Sequence, residues 1–352
     1  MIIDIHGHLS PPEAAERFPM PPSLTDVDGM LAARAEAGID LTIIGSPVGA
    51  GAMARVPGVD NYAQPRDRLR GFHDWMSGLI ARFPDQLRGY VYANPFGDDD
   101  HLEGVRETLA DPAFVGLITT SSVHGEFLGS PRADSFFALA AEAGVPVLVH
   151  APAEPAGTER VDEIGFVEQI GRFGDLTIGM AMIAFAGWLD KYPDLRLIGA
   201  TGGGAMALLP ERLQTAARPR HWGGGAPPPG ATARAGAGPG ARSAGPPAAA
   251  GRATPAGRAT PAGRAGGPPS ADPVAALRRM YVDTSPFSSA HLSLNAEVLG
   301  PERMLFGTDS PPMAAPLEDF VHMIEKLPVD KASQQLILGG NAEALFDLGS
   351  RP

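Results

Sequence analysis

Short apolar runs recur along the chain at residues 1–5, 41–44, 88–92, 114–118, 145–149, 195–199, 280–283 and 304–306. Between them lie longer stretches with apolar residues at helical spacing, such as 26–37, 72–83, 134–143, 178–191 and 317–326. A run too short for a helix, followed by a helix-length amphipathic stretch, predicts parallel strands joined by helical crossovers. Eight such units in a chain of this length favour an α/β fold of the (β/α)8 TIM barrel kind, with a doubly wound open sheet as the alternative. A barrel places its chemistry where strands end, so polar residues should cluster at the close of each apolar run.

One segment interrupts the alternation. Residues 223–270 contain 13 glycines, 10 prolines and five arginines but no acid, and the hexapeptide GRATPA occurs twice in succession from Gly251. Almost no large apolar side chain is present to offset the entropy of ordering, which predicts a disordered Gly/Pro/Ala/Arg-rich insertion within one barrel domain spanning 1–352. The five arginines could dock on an acidic body or partner.

Composition then narrows the function. The chain of 352 residues has no cysteine, which excludes disulfide scaffolds, cysteine zinc fingers, iron–sulfur centres and thiol nucleophiles. Any metal must therefore rest on His, Asp or Glu. A net charge of −12 and 7% aromatic residues argue against a nucleic-acid partner. No apolar stretch approaches the roughly 18 residues of a membrane span, and the start has no basic region before its apolar run, so a soluble cytoplasmic protein is expected.

The strand ends meet the barrel's demand. The first run closes in His6-Gly7-His8, the fifth in Val149-His150-Ala151 and the eighth in Phe306-Gly307-Thr308-Asp309-Ser310. Residues i and i+2 of a strand share a face, so His6 and His8 can aim two imidazoles into the barrel mouth, with Gly7 leaving room between them. Three neutral imidazoles and a carboxylate suit one divalent ion such as zinc, leaving a coordination position for water or substrate.

These residues carry a family likeness. Ile3-Asp4-Ile5-His6-Gly7-His8, Pro146-Val147-Leu148-Val149-His150, Leu305-Phe306-Gly307-Thr308-Asp309-Ser310-Pro311 and Gly339-Gly340-Asn341-Ala342-Glu343-Ala344-Leu345-Phe346 resemble blocks of the amidohydrolase superfamily. Within it they resemble the amidohydrolase-2 branch that includes aminocarboxymuconate-semialdehyde decarboxylase. The resemblance implies a distorted (β/α)8 barrel, the metal ligands His6, His8, His150 and Asp309, and a small-molecule substrate; the donor set puts zinc ahead of manganese. Homodimers are usual among similar proteins.

One departure bears on mechanism. In the family, strand six usually ends in a histidine followed by glycines, whereas here the segment reads Ala200-Thr201-Gly202-Gly203-Gly204. A threonine hydroxyl donates or accepts a hydrogen bond but does not exchange protons near neutral pH as imidazole does. Replacement proton carriers are sought in His124, beyond run four, in His291, beyond run seven, and in Asp309 as a general base. Asp283 closes run seven, either at the site or holding the loop by hydrogen bonds. Arg55 and Arg212 are the candidates for gripping a substrate carboxylate. His73, Asp74 and Trp75 are read as packing and capping residues at the start of a helix, His101, His221 and His322 as surface residues, and Trp188 as core or subunit interface.

The resulting expectation is a metal-dependent lyase or hydrolase acting on a small carboxylic or carbonyl compound, possible aromatic acids included. Decarboxylation leads, and Thr201 shifts weight toward cyclisation, dehydration or hydrolysis in a biosynthetic pathway. The competing expectation is a catalytically silent metal-binding barrel that serves as a binding or assembly partner.

Overall fold

Each apolar run forms a strand: β1 Ile3–Gly7, β2 Leu41–Ile44, β3 Leu87–Tyr92, β4 Phe114–Thr120, β5 Val147–His150, β6 Leu197–Gly199, β7 Tyr281–Asp283 and β8 Met304–Leu305. They pair in sequence order, every neighbour parallel. The computed structural model describes residues 1–217, 270–285, 288–313 and 315–349. The predicted insertion at 223–270 therefore lies outside the described residues except for Ser270, as does His221. Helices cover the outside of the sheet, and the strands are buried almost throughout because both faces are covered.

The ring is completed between β1 and the segment after β8. Ile5 N–H donates to the Phe306 carbonyl at 2.9 Å, Asp309 N–H to the His6 carbonyl at 2.9 Å, and Gly7 bridges Ser310 in parallel. A buried polar clasp lies under this seam. The Asp4 carboxylate accepts from the backbone N–H groups of His6 and Thr308 at 3.0 Å each, from the Thr308 hydroxyl at 2.7 Å and from Arg34 at 3.1 Å. Arg34 also donates to the Ser310 carbonyl and to Thr42. A charge so deeply buried is tolerated because nearly all its hydrogen-bonding capacity is used.

Helix boundaries depart from the periodicity in two places. The stretch expected at 72–83 begins earlier, as the helix Arg66–Arg82, so His73 to Trp75 lie mid-helix and cap nothing. The stretch expected at 178–191 begins at Arg172, breaks at Gly187 with φ of 81°, and resumes as Trp188–Lys191. Trp188 is core, its Nε1–H donating to the Leu128 carbonyl at 2.8 Å.

His73 is itself buried, its Nε2 accepting from Tyr92 N–H at 3.1 Å. Burial, helped by nearby His101, lowers its pKa to about 3. The unfolded chain takes up a proton near pH 6.5 that the folded chain refuses until about pH 3, so this residue's contribution is present above pH 6.5 and lost as pH falls. The loss is about 1.4 kcal/mol per pH unit at most within that window. We expect His73→Gln to flatten the pH dependence of urea-unfolding stability between pH 6.5 and 4 by about one proton's worth; an unchanged slope would assign the acid sensitivity to other groups.

Candidate metal centre

The end of β1 is extended, which turns His6 and His8 to one face, as the alternation requires. Gly7 serves a different purpose from the spacing expected of it: a Cβ there would lie 2.5 Å from Thr42 Cγ2, so the glycine allows β1 to close on β2. His150 ends β5 on the same rim, and Asp309 follows β8 with φ of 56°, a left-handed turn that aspartate tolerates better than most residues. Ligand atoms of these four side chains all lie within 4.8 Å of one another.

Hydrogen bonds set the orientation of each ring. The His8 Nδ1–H donates to the Gly45 carbonyl at 2.9 Å and that of His150 to the Ala151 carbonyl at 2.7 Å. Carbonyl oxygens only accept, so both Nδ1 atoms carry hydrogen, and in the neutral rings Nε2 is a lone-pair donor. The His6 Nδ1–H donates to Asp283 Oδ2 at 2.5 Å. Nε2 of His6 and Nε2 of His150 are buried with no hydrogen-bond partner. Asp309 Oδ1 stands 3.0 Å from His8 Nε2, 3.5 Å from His6 Nε2 and 3.9 Å from His150 Nε2. Lone pairs and a carboxylate thus crowd one point, an arrangement that calls for a cation and fits one divalent ion.

The carboxylates around the rings favour a positive charge at this point. Burial works against a charge on His6, but Asp309, Asp283 and Asp4 outweigh it and raise its pKa to about 9. Burial lowers that of His150 to about 4, against the pull of Asp309. Burial opposes ionisation of Asp309 as well, yet the surrounding imidazoles hold its carboxyl well below the usual range.

Asp283 is a hub beneath the site. Besides His6, its Oδ2 accepts from Ser285 Oγ at 2.9 Å, and its Oδ1 accepts from Gly202 N–H at 2.8 Å and Ser285 N–H at 3.2 Å. One carboxylate thereby fixes a ligand ring and the turn bearing Thr201. Supporting groups of this kind typically command 10–100-fold in metal affinity. We expect Asp283→Ala to weaken zinc binding by about that factor in calorimetric titration, with a smaller loss in Asp283→Asn, which keeps one acceptor oxygen.

Above the four ligands opens a cavity of about 510 Å³. Its wall is largely apolar, with Leu9, Val48, Met20, Met53, Met313 and Phe173, and Arg172, Thr201 and Ser285 are among its polar members. Thr201 has φ of 48° and begins a glycine turn in which Gly202, Gly203 and Gly204 all have positive φ.

The other sequence candidates lie elsewhere. His124 does not line the cavity: its side chain is 62% exposed and pairs with Asp60 at 3.3 Å. His291 lies behind the glycine turn, against Phe173, where a Cβ on Gly202 would meet its ring at 2.9 Å. Arg55 is exposed and faces Glu154 at 3.6 Å, and Arg212 is exposed on the helix Pro210–Ala217. The arginine of the cavity is Arg172, which the sequence reading missed. Its guanidinium is largely buried, donates to the Met53 carbonyl at 2.6 Å and lies 3.6 Å from Glu168. His101 is half-buried rather than a surface residue, its Nε2 accepting from Asn94 N–H at 2.9 Å, whereas His322 is exposed as expected.

The parallel βα barrel carries H-x-H at its first strand end, a further histidine closing the fifth and an aspartate after the eighth, a set that could hold one metal ion. The chain belongs to the amidohydrolase family, whose Amidohydro_2 model matches residues 3–348. A curated relative, 2-amino-3-carboxymuconate-6-semialdehyde decarboxylase of Dictyostelium discoideum, is 21% identical over 166 residues, 46% of this chain and 46% of the relative. The match thus spans under half the length of that relative. Among solved structures, 5-carboxyvanillate decarboxylase of Sphingomonas paucimobilis superposes with a TM-score of 0.73 at 18% identity, covering 98% of both chains. Dihydroxybenzoic acid decarboxylase of Polaromonas sp. JS666, solved with bound manganese and the inhibitor 2-nitroresorcinol, gives 0.71 at 18% identity, covering 99% of this chain and 98% of that one. These likenesses show the fold. Among the described residues, no helix is long and apolar enough to cross a membrane.

Proposed function

We propose that the protein is a divalent-metal-dependent lyase of the amidohydrolase family that decarboxylates a small, aromatic carboxylic acid in the cytoplasm, working as a homodimer and without a nucleic-acid partner. The observation that carries this reading is the convergence of buried, unpartnered imidazole nitrogens and one ionised carboxylate beneath an apolar cavity. The neighbouring decarboxylase folds support the choice of reaction.

His6, His8, His150 and Asp309 would hold the ion; the imidazole-rich set favours zinc, with the manganese of the Polaromonas enzyme as the competitor. When bound, it supplies a Lewis acid toward a substrate oxygen. The remaining work falls to the chain. Decarboxylation leaves the electrons of the broken C–C bond on the ring carbon, which must then take up a proton. Asp309, ionised at neutral pH, takes the proton of the substrate hydroxyl and delivers it to that ring carbon as carbon dioxide leaves, while Thr201 donates a hydrogen bond to bound substrate. The apolar wall seats a ring, and Arg172 pairs with the anionic substituent. A cavity of about 510 Å³ holds a substituted aromatic acid with room to spare.

The test is release of carbon dioxide from a panel of hydroxybenzoates by protein carrying about one equivalent of zinc or manganese. Ion-loaded protein inert toward every member would sink the decarboxylase reading. With an active substrate in hand, Arg172→Met is expected to raise KM by about 10–100-fold, the worth of a hydrogen bond to a charged group, and to change kcat far less.

A further inference from the structure

The cavity above the four candidate ligands is larger than a single ring requires, and its walls are chemically unequal. At about 510 Å³ it falls within the roughly 300–1,000 Å³ of cavities that enclose drug-sized ligands. β8, β1 and β2 are consecutive around the closed ring, so the segments that follow them make one continuous sector of the rim. Pro19, Met20 and Leu24 line the cavity from the segment after β1, Val48 and Met53 from that after β2, and Met313 from that after β8. Apart from His8 and Asp309 at the floor, the polar lining side chains of this sector are Ser10 and Ser46 alone.

The sector after β5 differs. It brings Glu168, Gln169 and Arg172 into the lining, and Arg172 is the only arginine or lysine among the lining residues. Its Nη2 is committed to the Met53 carbonyl, but its Nε–H is buried without a hydrogen-bond partner, so an acceptor is wanted on this side. A ligand that satisfies it turns its other edge toward the apolar sector. A second charged group on that edge would lose its hydration with no counter-charge to replace it. An apolar group there displaces water that finds few partners, and Met20, Met53 and Met313, unbranched and polarisable, can shape themselves to it.

We propose that the substrate is a hydroxyaryl acid carrying an apolar substituent of several carbons, which lies against the sector after β8, β1 and β2 while the anionic end faces Arg172. The proposal rests on the reading above for the placement of the anionic end, and adds the substituent. It separates this cavity from one built for a small, uniformly polar ring acid.

Binding can be measured apart from turnover with 2-nitrophenol, whose nitro group stands in for a carboxylate but has no carbon dioxide to lose. Zinc-loaded protein is titrated calorimetrically with 2-nitrophenols bearing a methyl, propyl or pentyl chain para to the hydroxyl or para to the nitro group. At one of the two positions affinity is expected to rise about fourfold for each buried methylene, roughly 16-fold from methyl to propyl. Met20→Asp and Met313→Asp place a charge in the apolar sector and are expected to flatten this dependence on chain length. Leu336→Asp, an exposed apolar position outside the cavity, should keep it. Far-UV circular dichroism checks that each variant is folded.

Affinity that stays level or falls with chain length at both positions overturns the proposal. So does a gain that survives in both cavity variants, since the chains would then be binding elsewhere. Carbon dioxide release from simple hydroxybenzoates without any chain-length gain removes this inference and leaves the decarboxylase reading standing. A chain-length gain in protein inert toward every acid does the reverse.

Discussion

Alanine in place of His150 is expected to reduce bound zinc or manganese from about one equivalent per chain to a few per cent, and to abolish turnover with it. The imidazole offers one of four candidate ligand atoms, and its Nδ1–H is already committed to the Ala151 carbonyl, which leaves Nε2 without a hydrogen-bond partner. Losing a direct ligand should exceed the roughly 10–100-fold that supporting residues such as Asp283 command. Elemental analysis of purified protein measures the ion, and His150→Gln, closer in volume, separates ligand loss from a packing defect. Retention of a full equivalent by both variants would show that the convergence of side chains at this rim is not the metal site.

Histidine in place of Thr201 is expected to raise decarboxylation of simple hydroxybenzoates by roughly 10²–10⁴, the range that a positioned acid–base group contributes. The backbone favours the exchange. Thr201 sits at φ of 48°, where a β-branched residue is a genuine outlier and histidine is among the better-tolerated side chains. The new ring would emerge at the cavity wall, in a turn that Asp283 holds through Gly202. Stopped-flow or steady-state measurement of carbon dioxide release gives the rate, and thermal melting should show no loss of stability. A fall in an existing activity would mean that the hydroxyl belongs to a different reaction, one for which an imidazole is an obstruction.

The convergence of the candidate ligands was legible because its determinants are local and periodic. His6 and His8 share a face by the twofold repeat of a strand, and His150 and Asp309 close apolar runs that could be counted, so direction as well as position could be read. Arg55 and Arg212 show where that logic stops. Both were chosen for lying soon after a strand or glycine turn, yet nothing local aims a loop or helix side chain, and both face solvent. Arg172 reaches the cavity from a helix whose preceding π-helical turn shifts the register of its faces, and no 3.6-residue pattern announces such a turn. His124 and His291 were placed correctly near strand ends in sequence but are held away from the cavity by an ion pair and by the glycine turn respectively. The Asp283 hub joins residues far apart in sequence, and only tertiary closure reveals that one carboxylate serves two of them.

The seam under the site ties the opening of the chain to its far end. Asp4 grips Thr308, and the ligand set pairs His6 and His8 with Asp309, so neither half of the polypeptide can present the ion with a complete nest on its own. Loading of the centre is thereby coupled to closure of the ring, the docking of the final strand on the first. Ion occupancy should act as a rivet across the one joint where the ring could spring open, and chelation should loosen that joint before it loosens the interior strands.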